Sequence, residues 1–547
     1  STGSTSSSYT LTGLTTGTGY YVAVAAIDSD GNESWVSNEF KATPGTSLVP
    51  VALEIISTPP ITTAGNIFIS PVKVVLKNVD GSFVANDGIN VSISLSGITG
   101  AQLGGTTTKE SIKGIVVFDD LSVDLSGNAL IVATSPDLTS WTSSSFEVQS
   151  SSGIKGKINS HTTWKADNSP YVVTGNVTVA SGATLTIEAG VEVKIDSGKG
   201  ILVEGALVAL GTSGQNIVFT SSQASPAAGD WVYIKFTDGS VDAVFDGNGD
   251  YVSGSILKYC QVMYGGGGGA SGAIVIDTAS PYIEGCTVDN NNSAGIIATD
   301  PPNLQVKNTI ISNTVRLGVN AYATSGGGLV ISGGSATIRG NTISNNKAYQ
   351  RAGGIMLTGT TGEVLIDDNV INGNEADGNQ IGVGGILING NTAKVTITNN
   401  QITANDGSSG YGWAAGGVKL ASWQEEILVE NNNISNNIFS GGWEDGAGID
   451  IKGSSWGSNG DFALKVINNE ISGNQGRGIN IWGGNAITIE GNKIRNSSGY
   501  LGIGLYIRQS SDNVIIKNNL VEGNEEYGIA VGSGSNHNIS GNQILNN

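Results

Sequence analysis

The chain has 547 residues, enough for several domains, with 81 glycines, 13% charged residues and a net charge of −20. That charge makes duplex nucleic acid and anionic membranes poor partners and divalent cations suitable ones. Two cysteines in this length exclude a disulfide scaffold. The wealth of Gly, Asn, Ser and Thr, without long helical periodicity, marks an all-β protein rich in turns.

Residues 1–46 carry alternating runs at Tyr9–Leu14 and Tyr20–Ala26, a turn at Asp28 to Asn32 and a last run near Phe40. They resemble the C-terminal part of a fibronectin type III domain, a common spacer in bacterial surface proteins. The alternating Asp28, Asp30 and Asn32 read as an Asp-Gly-Asn turn rather than a cation loop. In residues 47–152, runs at Val72–Leu76, Ile89–Leu95, Gly114–Phe118 and Ala129–Ala133 are separated by Gly-rich turns. This spacing predicts a β-sandwich. The segment resembles a bacterial immunoglobulin-like domain of the invasin type, and nothing in it points to catalysis.

From Gly153 the character changes to short strands without interruption. Asp246, Asn248 and Asp250 alternate like half of a calcium loop, but the closing acidic residue is missing. Both calcium binding and a plain turn are therefore open for them. Cys260 and Cys286 occupy equivalent places in successive repeats, with Thr309 next in the series. They read as stacked small core residues, since facing atoms on adjacent coils lie near the long end of disulfide geometry.

Residues 336–547 repeat one phrase eight times, beginning with ATIRGNTISNN at Ala336 and ending with HNISGNQILNN at His537. Each copy is a short alternating run, an Asn, a second short run and usually another Asn. Period-two alternation predicts strands, and strands this short bury a face only by stacking copy on copy. A third strand is signalled by Gly followed by apolar-x-apolar, as at Gly354–Leu357, Gly385–Ile388, Gly417–Leu420 and Gly448–Ile451. Three strands per turn, stacked about 4.8 Å apart, make three parallel sheets. The pattern over 153–547 resembles the right-handed parallel β-helix repeat family, which includes the pectate-lyase-like proteins. That resemblance implies an extracellular protein, and a fold that serves lyases, hydrolases, epimerases, adhesins and passive rods alike.

Asn341, Asn369, Asn400, Asn432, Asn469, Asn492, Asn519 and Asn542 stand in register. A buried amide needs both donor and acceptor satisfied, and stacked identical amides supply them to one another, so a ladder is predicted. Ladder spacing locates the loops. It is 23 residues from Asn519 to Asn542 but 37 from Asn432 to Asn469. The excess falls before the Gly-apolar strand of the middle coils and carries Tyr349, Tyr411, Trp413 and Trp443, with Trp423 and Trp456 in the next turn. Exposed Trp and Tyr suit sugar rings.

The outward position of the first sheet reads Val330, Met356, Leu387, Lys419, Asp450, Asn480, Tyr506, Ala530. Two residues further on come Lys452, Trp482 and Arg508. This polar stretch predicts a shallow groove, walled by loops at 405–417 and 437–448, with Lys419, Asp450, Lys452, Asn480 and Trp482 as its floor. The glycan-binding set is then Trp413, Trp443, Lys452, Asn480, Trp482, Tyr506 and Arg508. In the pectate-lyase-like proteins the substrate groove lies on this sheet. A lyase would use Lys419 as base with a cation on the uronate; a hydrolase would pair Asp450 with Glu444 or Asp445.

With two His and no distinct acid/base pair, a non-catalytic surface protein is favoured: an adhesin, surface-layer or filament component binding polysaccharide or other surface protein subunits. An extracellular polysaccharide lyase or glycoside hydrolase is the alternative. No transmembrane run or signal peptide is evident, and both ends look cut, as expected of a piece of a longer secreted protein.

Overall fold

The computed structural model describes residues 11–15, 17–28, 30–43, 49–59, 61–65, 67–68, 70–149, 153–316, 326–378, 381–409, 414–441, 446–453, 462–499, 501–508 and 511–547. The chain divides into two units, Ser1–Ser152 and Gly153–Asn547. Among the described residues the only helix is a single 3-10 turn at Ala166–Asn168.

In the first unit, Tyr20–Val22 pairs antiparallel with Phe40–Ala42. Asp28 Oδ1 accepts the backbone N–H groups of Asp30 and Asn32, at 3.0 and 2.9 Å, so this carboxylate caps its own turn. Residues 52–149 form mainly antiparallel pairs, among them Ala52–Ser57 with Val72–Lys77 and Asn90–Ser96 with Gly127–Ser135. Alternate residues of these strands, including Leu53, Val74, Val91, Phe118 and Ile131, meet in one apolar core.

The second unit is a parallel β-helix. A middle coil runs Ile355–Thr358 in the first sheet, Val364–Asp367 in the second and Val370–Asn372 in the third. It returns to the first sheet at Ile386–Asn389, beside where it began. Inward positions repeat from coil to coil, so that Ile343, Ile371, Ile402, Ile434, Ile471 and Ile494 are fully buried in one column. Each such side chain contributes about 1.5–3 kcal/mol of burial.

The Asn column is an amide ladder. Each Nδ2 donates to the Oδ1 of the next coil, from Asn341 to Asn369 at 2.9 Å through to Asn519 and Asn542 at 2.9 Å. The same Oδ1 also accepts the backbone N–H of the Asn before it. Thr309, Cys286 and Cys260 extend the column: Thr309 N–H donates to Asn341 Oδ1, Cys286 N–H to Thr309 Oγ1, and Cys260 N–H to Cys286 Sγ. Both thiols are free and buried, which agrees with stacked core residues.

The second Asn of the repeat builds another ladder, through Asn346, Asn374, Asn405, Asn437 and Asn474. It breaks at Ser497 and resumes with Asn524 and Asn547. The residue before each ladder Asn turns the chain with positive φ: Asp368, Asn399 and Asn431 before the first ladder, Asn345, Gly373 and Asn436 before the second, each between 54° and 64°. Asn, Asp and Gly tolerate that conformation, which is why the phrase reads Asn-Asn or Gly-Asn at both corners.

Candidate functional site

Among the described residues, the long excursions of the middle coils are not open loops. After the third sheet they form short strands at Lys347–Ala348, Glu375–Gly378, Asp406–Ser409 and Ile438–Gly441, which pair with one another in parallel. A second ribbon, Arg351–Ala352, Gly382–Val383 and Ala414–Ala415, follows. Together they lie over the outer face of the first sheet. Ala352, Val383 and Ala415 pack on Val330, Met356 and Leu387 as a second apolar core. The first Gly of each Gly-Gly pair makes this approach feasible. A Cβ on Gly353 would lie 2.6 Å from the Glu375 carbonyl oxygen, and one on Gly416 would lie 2.5 Å from that of Ile438.

This cover corrects the groove. The predicted row is a true register, since Val330, Met356, Leu387, Lys419, Asp450, Asn480, Tyr506 and Ala530 are successive ladder partners. It is not an open floor. Lys419 and Asp450 are each 1% exposed, Asn480 is fully buried, and Lys452 and Arg477 are buried as well. Pointing away from the helix core is here pointing into a second one. Lys419 Nζ is in direct contact with Asp450 Oδ2. Asn480 Nδ2 donates to Asp450 Oδ1 at 2.6 Å, and Arg477 approaches Asn480 Oδ1 at 3.4 Å.

Lys452, Trp482 and Arg508 also stack coil on coil. The Lys452 ammonium and the Arg508 guanidinium each lie 4.3 Å from the Trp482 ring centre. The aromatic faces that a sugar would need are therefore occupied by cations. Arg477 similarly sits 4.8 Å from the Tyr506 ring. Trp423 is buried at the edge of the helix core, its indole N–H donating to the Phe462 carbonyl at 3.4 Å. Tyr411, Trp413, Trp443, Glu444, Asp445 and Trp456 lie outside the described residues. The sequence held one missed signal of the cover: Val330, Met356 and Leu387 are apolar at outward positions, as on a face that is covered.

What reaches solvent on this side is the outer ribbon itself. Lys347, Glu375 and Asp406 are ladder partners on it. Lys347 Nζ donates to Glu375 at 2.5 Å. That bond, partly opposed by desolvation and aided by the charges of Glu375, Asp377 and Asp406, holds the ammonium above its ordinary range. On the second sheet an open depression of about 560 Å³ is lined by polar residues including Asn303, Thr337, Glu363, Lys394 and Thr396.

Asp246, Asn248 and Asp250 form the turn of a small hairpin between Val244–Phe245 and Tyr251–Ser253. Asp246 Oδ1 accepts the N–H groups of Asn248 and Asp250, at 2.8 and 2.9 Å. These bonds hold its carboxyl below the usual carboxylate range. Among the described residues no three of His, Cys, Asp and Glu gather as a metal-ligand cluster, and no helix is long and apolar enough to cross a membrane.

No curated protein sequence matches the chain. Among solved structures it is similar to the periplasmic alginate epimerase AlgG, at 11% identity, covering 71% of this chain and 85% of that one with a TM-score of 0.42. It is similar also to the catalytic unit of the GH87 alpha-1,3-glucanase from Streptomyces thermodiastaticus strain HF3-3, at 11% identity, 91% and 98% coverage and a TM-score of 0.37. A third is tailspike protein 3 of bacteriophage CBA120, at 10% identity, 66% and 54% coverage and a TM-score of 0.27. The sequence profile described as the right handed beta helix region matches residues 168–371, 243–455 and 430–547. With stacked parallel coils, two amide ladders and that match over more than half its length, the chain belongs to the right-handed β-helix family.

Proposed function

We propose that the chain is a bacterial-type secreted or cell-surface protein whose β-helix is a non-catalytic rod that binds polysaccharide. Residues 1–46 and 47–152 would act as fibronectin-like and immunoglobulin-like spacers. The observation that carries this reading is the cover over the first sheet. The side chains best suited to base catalysis, Lys419 and Asp450, are 1% exposed beneath it. The sugar-facing surface is then the outer ribbon of Lys347, Glu375 and Asp406; Trp413 and Trp443 are glycan-binding candidates on their sequence alone. Aromatic side chains suit the flat apolar faces of sugars, and the polar ribbon offers hydrogen bonds to hydroxyls. An adhesin, surface-layer or filament role, with other subunits as partners, belongs to the same reading. Calcium at Asp246, Asn248 and Asp250 rests on their alternating oxygens. Identical melts with calcium and with chelator would remove it.

The test is a glycan array on the whole chain, run beside assays for new reducing ends and for unsaturated products. Binding without product, weakened about 10-fold or more by Trp413→Ala or Trp443→Ala, is the expected result. Product from the unaltered chain would replace the reading.

One observation favours a hydrolase as the second reading. Glu375 and Asp406 are partners on adjacent coils, and strands about 4.8 Å apart bring two carboxylates to the separation that retaining glycosidases use. Glu375→Gln and Asp406→Asn would then abolish product formation, whereas on the rod reading there is none to abolish.

A further inference from the structure

Of the ion pairs among the described residues, only that of Lys419 and Asp450 has both side chains at 1% exposure. Every other pair has at least one partner more than 12% exposed. The two residues face each other on adjacent coils. On one side of Lys419 the row is apolar, with Leu387 and Met356 under Ala415 and Val383. On the far side of Asp450, the Asn480 amide donates 2.6 Å to Oδ1 and leaves Oδ2 to the lysine. Burying an ammonium and a carboxylate together carries a large desolvation penalty that their attraction only partly offsets. A route that removes both charges without moving either residue relieves that penalty.

We propose that Lys419 and Asp450 condense into an intramolecular isopeptide bond, a covalent rung between adjacent coils. A proton passes from Nζ to Oδ2 along the existing contact. The neutral amine then attacks Asp450 Cγ, forming the C–N bond. The negative charge that develops on Oδ1 meets the Asn480 N–H, a donor already aimed at that atom. Arg477, 3.4 Å from Asn480 Oδ1, holds the amide in that orientation. A second proton passes from the nitrogen to Oδ2, the C–O bond breaks and water leaves. Ammonium and carboxylate become amide and water, with no change in oxidation state and no co-reactant. Because the site is closed to solvent, water does not readily return to reverse the step. The rung ties the 37-residue coil from Asn432 to Asn469, the widest spacing in the Asn ladder, to the coil before it.

The experiment is intact-mass spectrometry of the whole purified chain under denaturing conditions, followed by tryptic mapping. The expected mass is about 18 Da below the sequence value, one water lost. The digest should contain the Lys419 peptide joined to the Asp450 peptide, with no cleavage after Lys419. Lys419→Arg and Asp450→Ala should each restore the full mass. A full mass in the unaltered chain, with cleavage after Lys419, would overturn the proposal. So would a water loss that maps to a succinimide at an Asp-Gly site. The decisive measurement is made on the unaltered chain, so a variant that fails to fold does not obscure it.

Discussion

Replacing Asn432 by Ala tests the amide ladder at its centre. Asn432 Nδ2 donates to Ile397 O at 2.8 Å and to Asn469 Oδ1 at 3.0 Å. Its Oδ1 accepts Asn400 N–H and Asn400 Nδ2, both at 2.9 Å. After truncation, Asn400 Nδ2 still has Ile366 O and Thr398 O, and Asn469 Oδ1 keeps the backbone N–H of residue 432. The Asn400 backbone N–H has no such reserve and is left buried and unsatisfied. An orphaned buried donor costs about 1–3 kcal/mol and the lost bonds about 1 more, for a total of about 2–4 kcal/mol.

In a solenoid the loss stays with the neighbouring coils, so the assay should be local. Hydrogen exchange at the Asn400 amide should accelerate about 30- to 1,000-fold if that energy is lost from the protected state. Thr at the position should cost less than Ala, because Thr309 Oγ1 already performs this role for Cys286 N–H at 3.3 Å. Asp should cost more, because its second oxygen would face the Ile397 carbonyl. Unchanged exchange at Asn400 in the Ala variant, or Asp tolerated as well as Thr, would refute the reasoning.

Ala404 turns the chain with φ 55° where other coils use Asn or Gly, and its side chain is exposed. Ala404→Gly should raise stability by about 1 kcal/mol, read by denaturant titration. Ser497 interrupts the second ladder, with its buried hydroxyl unpaired among the described residues. Ser497→Asn should join Asn474 to Asn524 and add about 1 kcal/mol, measured the same way. Burial first, then the hydrogen bond and charge of Cys286, push the Cys260 thiol well above its ordinary range. Burial, then Glu284, also raises Tyr282. The unfolded chain therefore releases these protons first as pH rises, and stability should fall progressively above about pH 9. A melting temperature flat from pH 8 to 11 would contradict this. Neither thiol should react with a disulfide reagent until denaturant is added.

The coils, the first ladder and the residues sharing each face were legible in the sequence because they rest on local rules. A strand alternates in steps of two, a tight corner needs Asn or Gly, and identical coils stack in register. Even the row from Val330 to Ala530 was placed residue by residue. What the sequence did not disclose was whether that row met water. This depended on segments such as Glu375–Gly378 and Gly382–Val383 folding back across the sheet they had left. Their partners lie on neighbouring coils, but their length and residues vary from coil to coil, so no repeated phrase marks them. Their small residues, Ala352, Ala376 and Ala415, show no period-two alternation of apolar residues. Only tertiary packing makes them a cover, and the cover alone turns Lys419 and Asp450 from a surface pair into a buried one.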